Sequence, residues 1–396
     1  MSGHSEPLRL CAVSFKPCWR DASGRWMSSG GFPLQMTAVG SLFEEMDLLI
    51  VESPPLAGGL PLPAHARVVP LRAPRGADGR RKLSVAAHLP GYVRVMAAHI
   101  GRADAVHVPL PGDLPLIAFA VALAMRKRLV ARYGGSWLDN AQTTRVGRIT
   151  KGWMRRAAGG RNVMMATGDG SEPPAPGMEW IFSTALAAAE LDTLRADLDR
   201  PPGVPPRLVY VGRLSPEKGV ATLLRALAQI VSRSGDVAPS LTLAGEGSER
   251  EALVTLARTL GLNGRVRFTG QLDRAALSTE LARADLCVQP SLTEGFSKAW
   301  LDAMAHGLPV VASEVGAARA VIGGAGARGW LVPPGDPAAL ADTLLRVLAA
   351  PVDWAALRRR CRTYVEGRTL EAWAGRIGEI CASQWGWSLS EGRLHR

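Results

Sequence analysis

Apolar positions along this chain come in short unbroken runs of strand length, separated by longer stretches in which apolar residues return every three or four positions. In the first half, 8–15 (LRLCAVSF), 47–51 (DLLIV), 105–110 (AVHVPL), 129–133 (LVARY) and the run NVMMAT predict strands, with at most a short strand at 66–71. Helical periodicity over 91–101, 114–128 and 145–159 falls between them. In the second half, runs starting at Leu208, Leu241, Val266, Ala284 and Gly329 alternate with helical segments, one of which starts near Gly219. This alternation predicts an α/β protein with parallel sheets covered on both faces and ligands beyond the carboxyl ends of the strands. The clearest interruption is RPPGVPP at 200–206, since proline blocks helix and glycine breaks order, so the first domain is expected to span 1–202.

Composition narrows the class. A chain of 396 residues with 47% hydrophobic content can bury two full cores, which excludes a disordered protein. Its five cysteines show no CxxC pair, so buried free thiols are expected rather than a zinc site. The opening MSGHSEPLRLCAV lacks a basic region followed by a long apolar run, so no secretory signal is read there. The longest uncharged apolar run, 114–125, has 12 residues and reads as a buried helix rather than a membrane span.

Charge changes the picture more. Between residues 54 and 163 there are 18 Lys and Arg against four acids, a local balance of +14 within a total of +12. That segment suits something negative: an anionic membrane surface, an acidic or phosphorylated acceptor, or nucleic acid. On a helical wheel of 145–159, Arg145, Arg148, Lys151, Arg155 and Arg156 cluster on one side while Val146, Ile149 and Trp153 fall together on another. Such a helix can lie on an anionic bilayer, or it can pack its apolar stripe on the sheet and leave its charges solvated.

The stretch 289–313, QPSLTEGFSKAWLDAMAHGLPVVAS, reads as loop, helix, turn and strand. A helix starting near Ser297 points free backbone NH groups into the loop that holds Glu294, Gly295 and Phe296, and favours an anion there. Carboxylates at Glu294 and Asp302 can accept hydrogen bonds from hydroxyls, which together suits a nucleotide sugar. Upstream, GRLSPEKG joins the strand at 208–211 to the next helix, and Arg213 and Lys218 beside free NH groups can grip a diphosphate. In the first half, a strand followed by Gly30 and Gly31 at a helix start is a phosphate-tolerant geometry, although a glycine pair is more often a plain turn. Trp19 and Trp26, in the loop before it, can stack on a sugar or simply pack.

EGFSKAWLDAMAHGLPVVAS resembles the signature of the family-4 retaining glycosyltransferases, an E-x7-E element followed by E-A-x-A-x-G-x-P-V, with Asp302 in place of the second Glu. GRLSPEKG is similar to that family's phosphate loop. The resemblance covers about 208–345 and is weak before it. It implies the GT-B fold, two Rossmann-like doubly wound domains facing a central cleft, with a nucleotide-sugar domain over 203–369 and a final helix, 370–396, crossing back to the first domain. It further implies that Glu294 faces the donor sugar and Asp302 the ribose, that Gly30 and Gly31 face the cleft, and that the backbone at Gly270 and Leu272 borders the base. Family members also place a histidine near the donor sugar, which selects His107, although a lone histidine in an apolar strand is more often a core residue. Arg132, Ser136 and Trp137, at another strand end, are candidate acceptor contacts, with an ordinary glycine turn as the alternative.

The reaction so implied moves a sugar from UDP or GDP to a hydroxyl of a glycan or lipid-linked acceptor, with retention, in surface-polysaccharide or lipid-linked oligosaccharide synthesis. No Asp-x-Asp lies at a strand end, so neither metal nor cofactor is expected. The location implied is cytoplasmic, peripheral on the inner face of a membrane. A nucleotide-sugar epimerase on the same fold is the competing enzyme. A non-enzymatic anion or nucleic-acid binder ranks third, because the basic segment lacks interleaved aromatics.

Overall fold

The computed structural model describes residues 7–56, 58–76, 78–139, 143–324 and 326–396. The chain forms two compact units, Met1–Ala185 with Leu370–Arg396, and Leu186–Thr369. The first six residues, part of the opening read above for a signal, lie outside the described residues.

The first unit is built from β1 (Arg9–Arg20), β2 (Trp26–Ser28), α1 (Phe32–Gly40), β3 (Glu45–Glu52), β4 (Leu60–Pro61), β5 (Ala66–Leu71), α2 (Asp78–Arg102), β6 (Ala105–Leu110), α3 (Asp113–Ala124), β7 (Arg128–Tyr133), α4 (Arg145–Ala157), β8 (Asn162–Thr167) and β9 (Met178–Ile181). Strands β5-β3-β1-β6-β7-β8-β9 run parallel, and the short β2 and β4 extend the far end of β1 in antiparallel fashion. The parallel strands are apolar on both faces because helices cover both. One face buries Leu10, Ala12, Val130 and Met165 with Met36 of α1; the other buries Val13, Val106 and Leu129 with Met96 of α2 and Phe119 of α3.

The second unit continues with α5 (Ala188–Thr193), β10 (Arg207–Val211), α6 (Val220–Ser234), β11 (Ser240–Ala244), α7 (Arg250–Thr259), β12 (Val266–Gly270), α8 (Arg274–Arg283), β13 (Leu286–Gln289), α9 (Lys298–Ala305), β14 (Val310–Ser313), α10 (Ala318–Ile322), β15 (Gly329–Val332), α11 (Pro337–Ala349) and α12 (Trp354–Glu366). Its six strands are all parallel in the order β12-β11-β10-β13-β14-β15. The order reverses beside β10, which places the topological switch point between the ends of β10 and β13. In α6 the apolar residues Val220, Leu223, Leu224, Leu227 and Ile230 recur on one face, and all are buried. Asp273, Asp336 and Asp353 cap the starts of α8, α11 and α12 by accepting from backbone NH groups.

The chain then returns to the first unit through α13 (Leu370–Trp385) and the hairpin β16 (Ser388–Ser390) and β17 (Arg393–His395). Trp373, Ile377, Cys381 and Leu394 enter the same core as Leu10 and Met36.

Several expectations move. The first unit ends at Ala185, not 202, because residues beyond it are tied to the second: Glu190 accepts from Arg274 at 2.6 Å, and Arg200 donates to the Ala284 carbonyl at 2.6 Å. The RPPGVPP stretch therefore lies inside the second unit. The long loop after residue 15 is largely strand, since β1 runs on to Arg20 and turns back into β2; Trp19 is buried there, so it packs rather than stacks on a ligand. Helix α2 begins at Asp78 and accommodates Pro90. All five cysteines are free and buried, and burial pushes the Cys18, Cys287 and Cys361 thiols up to about 12, which leaves them inert.

Candidate active site

In the second unit, polar side chains and closely packed loops meet at the carboxyl ends of β10 and β13. After β10 the chain makes a tight loop and one 3-10 turn, Pro216–Lys218, before Gly219 starts α6 with φ +64. A Cβ on Gly219 would stand 2.1 Å from the Pro290 carbonyl oxygen, so only glycine lets this loop lie against the loop after β13. The Leu292 NH donates to the Glu217 carbonyl at 2.9 Å and fastens the two loops. On the other side, Leu214 donates to the Glu246 carbonyl at 2.9 Å and accepts from the Glu249 NH at the same distance.

These backbone contacts fix two side chains. Lys218 Nζ donates to Glu294 Oε2 at 2.5 Å, both largely buried, and joins the two loops that the sequence marked separately. Arg213 is exposed and pairs with Glu217 at 3.0 Å. Glu294 also accepts from the Gly295 NH at 3.2 Å, and the Gly295 carbonyl accepts from the Ala317 NH at 2.9 Å. Gly316, unmarked by the sequence reading, makes that closure possible, because its Cβ would lie 2.1 Å from the Glu294 carbonyl oxygen. Helix α9 then starts at Lys298, and Ser297 gives it no side-chain cap. Phe296 is buried against Trp300, the rings tilted by 55° with centroids 5.9 Å apart.

Asp302, in the second turn of α9, is buried. Its Oδ1 accepts from Arg274 at 2.8 Å, and Arg274 also reaches Glu190 at 2.6 Å. Burial works against the charge of Arg274, but Asp302 and Glu190 override it and hold the guanidinium protonated. Neither partner was anticipated; the available signal was Asp273, which caps α8 directly after β12 and sets Arg274 at the first helical position. Gly270 ends β12 with φ +75, and Leu272 is half-buried just before that cap.

In the first unit, Gly30 takes φ +64 and Gly31 precedes α1, so the pair forms a turn before a helix start. Gln35, one turn along α1, donates to the Thr184 carbonyl at 2.9 Å and accepts from Arg132 at 3.3 Å. Arg132 also donates to Thr167 at 3.4 Å and lies over the Trp373 ring, and no carboxylate pairs with it among the described residues. Register pairs His107 with Val130, so Arg132 stands two residues along on the same face. His107 is fully enclosed, and neither ring nitrogen has a hydrogen-bond partner. Burial, helped by Arg132, lowers its pKa to about 3, so the ring is neutral at physiological pH. It is a core residue here, and the catalytic part expected of it is withdrawn. Trp137 is also buried, with its indole NH donated to the Pro174 carbonyl at 2.9 Å, and the Ser136 hydroxyl is spent on the Leu138 carbonyl. Trp137 supports the loop, while Ser136 keeps its acceptor lone pairs and Arg132, 7% exposed, stands at the strand end.

Trp137 and Tyr133 underlie α4. The helix packs through Gly147, Thr150, Lys151 and Met154, whereas Val146, Ile149 and Trp153 are 44%, 53% and 43% exposed. The apolar stripe therefore faces solvent, not the sheet. Lys151 leaves the expected basic cluster: it is 1% exposed, bonded to Asp139 at 2.7 Å and placed over the Tyr133 ring. None of the described helices is long and apolar enough to cross a membrane.

The family described as Glycosyl transferases group 1 matches residues 205–350, the segment that carries Arg213, Lys218, Arg274, Glu294 and Asp302 but not Glu190. A D-inositol 3-phosphate glycosyltransferase of Frankia alni is 30% identical over 307 residues, 66% of this chain and 72% of that protein. A glycogen synthase of Mycobacterium tuberculosis is 38% identical over 192 residues, 46% of this chain; the match spans less than half, 44%, of that protein. Among solved structures, the Anabaena protein HepE, in complex with UDP and glucose, superimposes with TM-score 0.69 at 18% identity over 95% of this chain and all of that one. Sucrose-phosphate synthase of Thermosynechococcus elongatus gives TM-score 0.71 at 22% identity over 96% of this chain and 99% of that one. These two establish the GT-B fold. With the Frankia protein similar over most of its length and the phosphate loop and Glu294 loop joined as described, the chain belongs to the group 1 glycosyl transferases.

Proposed function

We propose that this protein transfers a sugar from a nucleoside diphosphate, UDP or GDP, to a hydroxyl of a glycan acceptor, with retention at the anomeric carbon. The observation that carries this reading is the 2.5 Å contact between Lys218 and Glu294, which sets a cation for the diphosphate and a carboxylate for the sugar side by side just before the start of α9. A diphosphate would meet Lys218, Arg213 and the NH groups near Phe296 and Ser297. These preorganised donors stabilise the charge that develops on the leaving group without a metal. The ammonium has three protons, so Lys218 can serve Glu294 and a phosphate oxygen together. Glu294 then orients donor hydroxyls or offsets positive charge at the sugar carbon. Asp302, held by Arg274, is assigned to the ribose side, and Gly270 and Leu272 to the base. The UDP bound by the Anabaena relative supports uridine as the first base to try.

On the acceptor side, Gly30, Gly31 and Arg132 are the groups we assign to contact. The acceptor is a lipid-linked or surface-polysaccharide intermediate met at an anionic bilayer on the cytoplasmic side. The exposed Val146, Ile149 and Trp153 set among Arg145, Arg148 and Arg156 support this, since Trp suits the interface and each arginine near the surface adds about 1 kcal/mol.

A thermal-shift panel of UDP, GDP, ADP and their sugars tests the donor half. One nucleotide should stabilise the wild type, by about 2.7 kcal/mol at 100 times its dissociation constant, and lose its effect in an Arg213→Ala, Lys218→Ala variant. Equal stabilisation of both proteins would sink the assignment. Free UDP released only with an acceptor present separates transfer from epimerisation.

A further inference from the structure

Away from the donor loops, a cavity of about 210 Å³ opens between the segment that follows α5 and helices α8 and α12. Arg195, Arg200, Arg207, Arg283 and Arg358 line it. Two acids answer these five guanidiniums. Asp197 shares the lining and spends an oxygen on the Asp199 and Arg200 NH groups; Asp285, wholly buried behind it, is shared by Arg200 at 3.1 Å and by Arg207 and Arg358, both at 3.9 Å. His306, also in the wall, is held neutral: burial, with Arg274 and Arg362 nearby, lowers its pKa to about 4.

Arg358 is the informative member. It is 1% exposed, and its Nε and one Nη have no hydrogen-bond partner, while the other reaches the Gly307 carbonyl only at 3.5 Å. A buried guanidinium with unmet donors is costly unless an acceptor reaches it; Asp285 Oδ1, itself without a hydrogen-bond partner, stands 3.9 Å from the free Nη, beyond hydrogen-bond reach. The space far exceeds what one water needs and is roomy enough for a tetrahedral oxyanion and a few further atoms. Guanidinium forks match phosphate oxygens in pairs.

We propose that this cavity is a second anion site, built for a phosphate or a small phosphomonoester and separate from the donor site. It sits at the far end of α9. Arg358 and Arg362 donate to the Gly307 and Ala305 carbonyls at that helix's C-terminus, whereas the Glu294 loop leads into its N-terminus. An anion here would also tie the 195–207 segment to α12.

The test uses the full chain and two probes, inorganic phosphate and glycerol phosphate, titrated by calorimetry and thermal shift with chloride matching the ionic strength. Phosphate should raise the melting temperature saturably, in the wild type and in the Arg213→Ala, Lys218→Ala variant alike, which separates this site from the donor loops. Arg195→Ala and Arg283→Ala, both at exposed rim positions, should each weaken binding about tenfold. Arg358→Met removes the unmet donors and should make the protein insensitive to phosphate; if that variant does not fold, the rim variants still decide. Tighter binding of glycerol phosphate would identify an esterified ligand, and equal binding a free phosphate. The proposal falls if chloride alone reproduces the shift, if the rim variants titrate like wild type, or if the response disappears with Arg213 and Lys218.

Discussion

The two units share a parallel sheet with helices on both faces, yet they arm their strand ends by different means. In the second unit, backbone lies against backbone: a Cβ on Gly219, Gly245, Gly247 or Gly316 would fall 2.1, 1.8, 2.2 or 2.1 Å from a carbonyl oxygen. In the first, Gly30 has nothing within 4 Å of its Cβ position, and the strand-end polarity comes from side chains, Arg132 with Gln35 and Thr167. A site assembled by close backbone approach demands glycine at fixed positions and an ion pair across the seam. One assembled from side chains on ordinary strands makes no such demand, and its sequence can drift.

That contrast can be broken where it is strongest. Glu294→Gln or Lys218→Ala should lower turnover about 10²- to 10³-fold, the scale for losing a preorganised charge contact, while circular dichroism stays native. Activity within threefold of wild type would remove the Lys218–Glu294 pair from the mechanism. Next, Gly219→Ala should cost ~3 kcal/mol or more in urea unfolding, because strained φ and a backbone clash act together. Gly30→Ala in the first unit should cost only ~1–2 kcal/mol, from φ alone. Similar losses would mean that the two glycine turns are built alike after all. On the first unit's surface, Ile149→Ser with Trp153→Ser should weaken binding to anionic vesicles roughly tenfold, by removing exposed apolar area that would otherwise be buried. Unchanged co-sedimentation would confine α4 to a structural part.

At neutral pH the smallest effects concern the buried histidines, whose cost appears only on acidification. His107 and His306 have folded pKa values lowered to about 3 and about 4, so the unfolded chain binds more protons below about 6.5. Each therefore removes stability as pH falls through that window, by up to ~1.4 kcal/mol per pH unit, and the loss levels off below the folded pKa. His107→Leu should flatten that slope and leave turnover unchanged, since it replaces unpaired buried nitrogens by apolar volume. A large loss of activity would restore His107 to the chemistry.

This difference in construction also explains what could be read in advance. Arg213, Lys218, Glu294 and the helix after them stood out because GRLSPEKG and the EGF loop carry their geometry in the residue types themselves. Arg274 and Glu190 stayed hidden: an arginine at the first position of α8 and a glutamate in α5 look like any surface charge until the fold brings them 2.6 Å apart. His107 and Trp137 misled for the opposite reason. Polar or aromatic residues near strand ends suggest ligand contact, but α1, α13 and α4 cover them, and no local pattern shows which helix will lie above a strand. Proline-rich 200–206 looked like a boundary because composition reports stiffness, whereas the boundary follows from contacts such as Arg200 with Ala284.

The return of α13 to the first unit bears on the order of assembly. Because Trp373, Ile377 and Leu394 complete the core begun by Leu10 and Met36, the core of the first unit stays incomplete during synthesis until residues 370–394 have been made. The second unit is encoded as one uninterrupted stretch, Leu186–Thr369, and can close before then. The unit to which we assign the nucleotide is thus able to mature first, while the other waits for its closing helix.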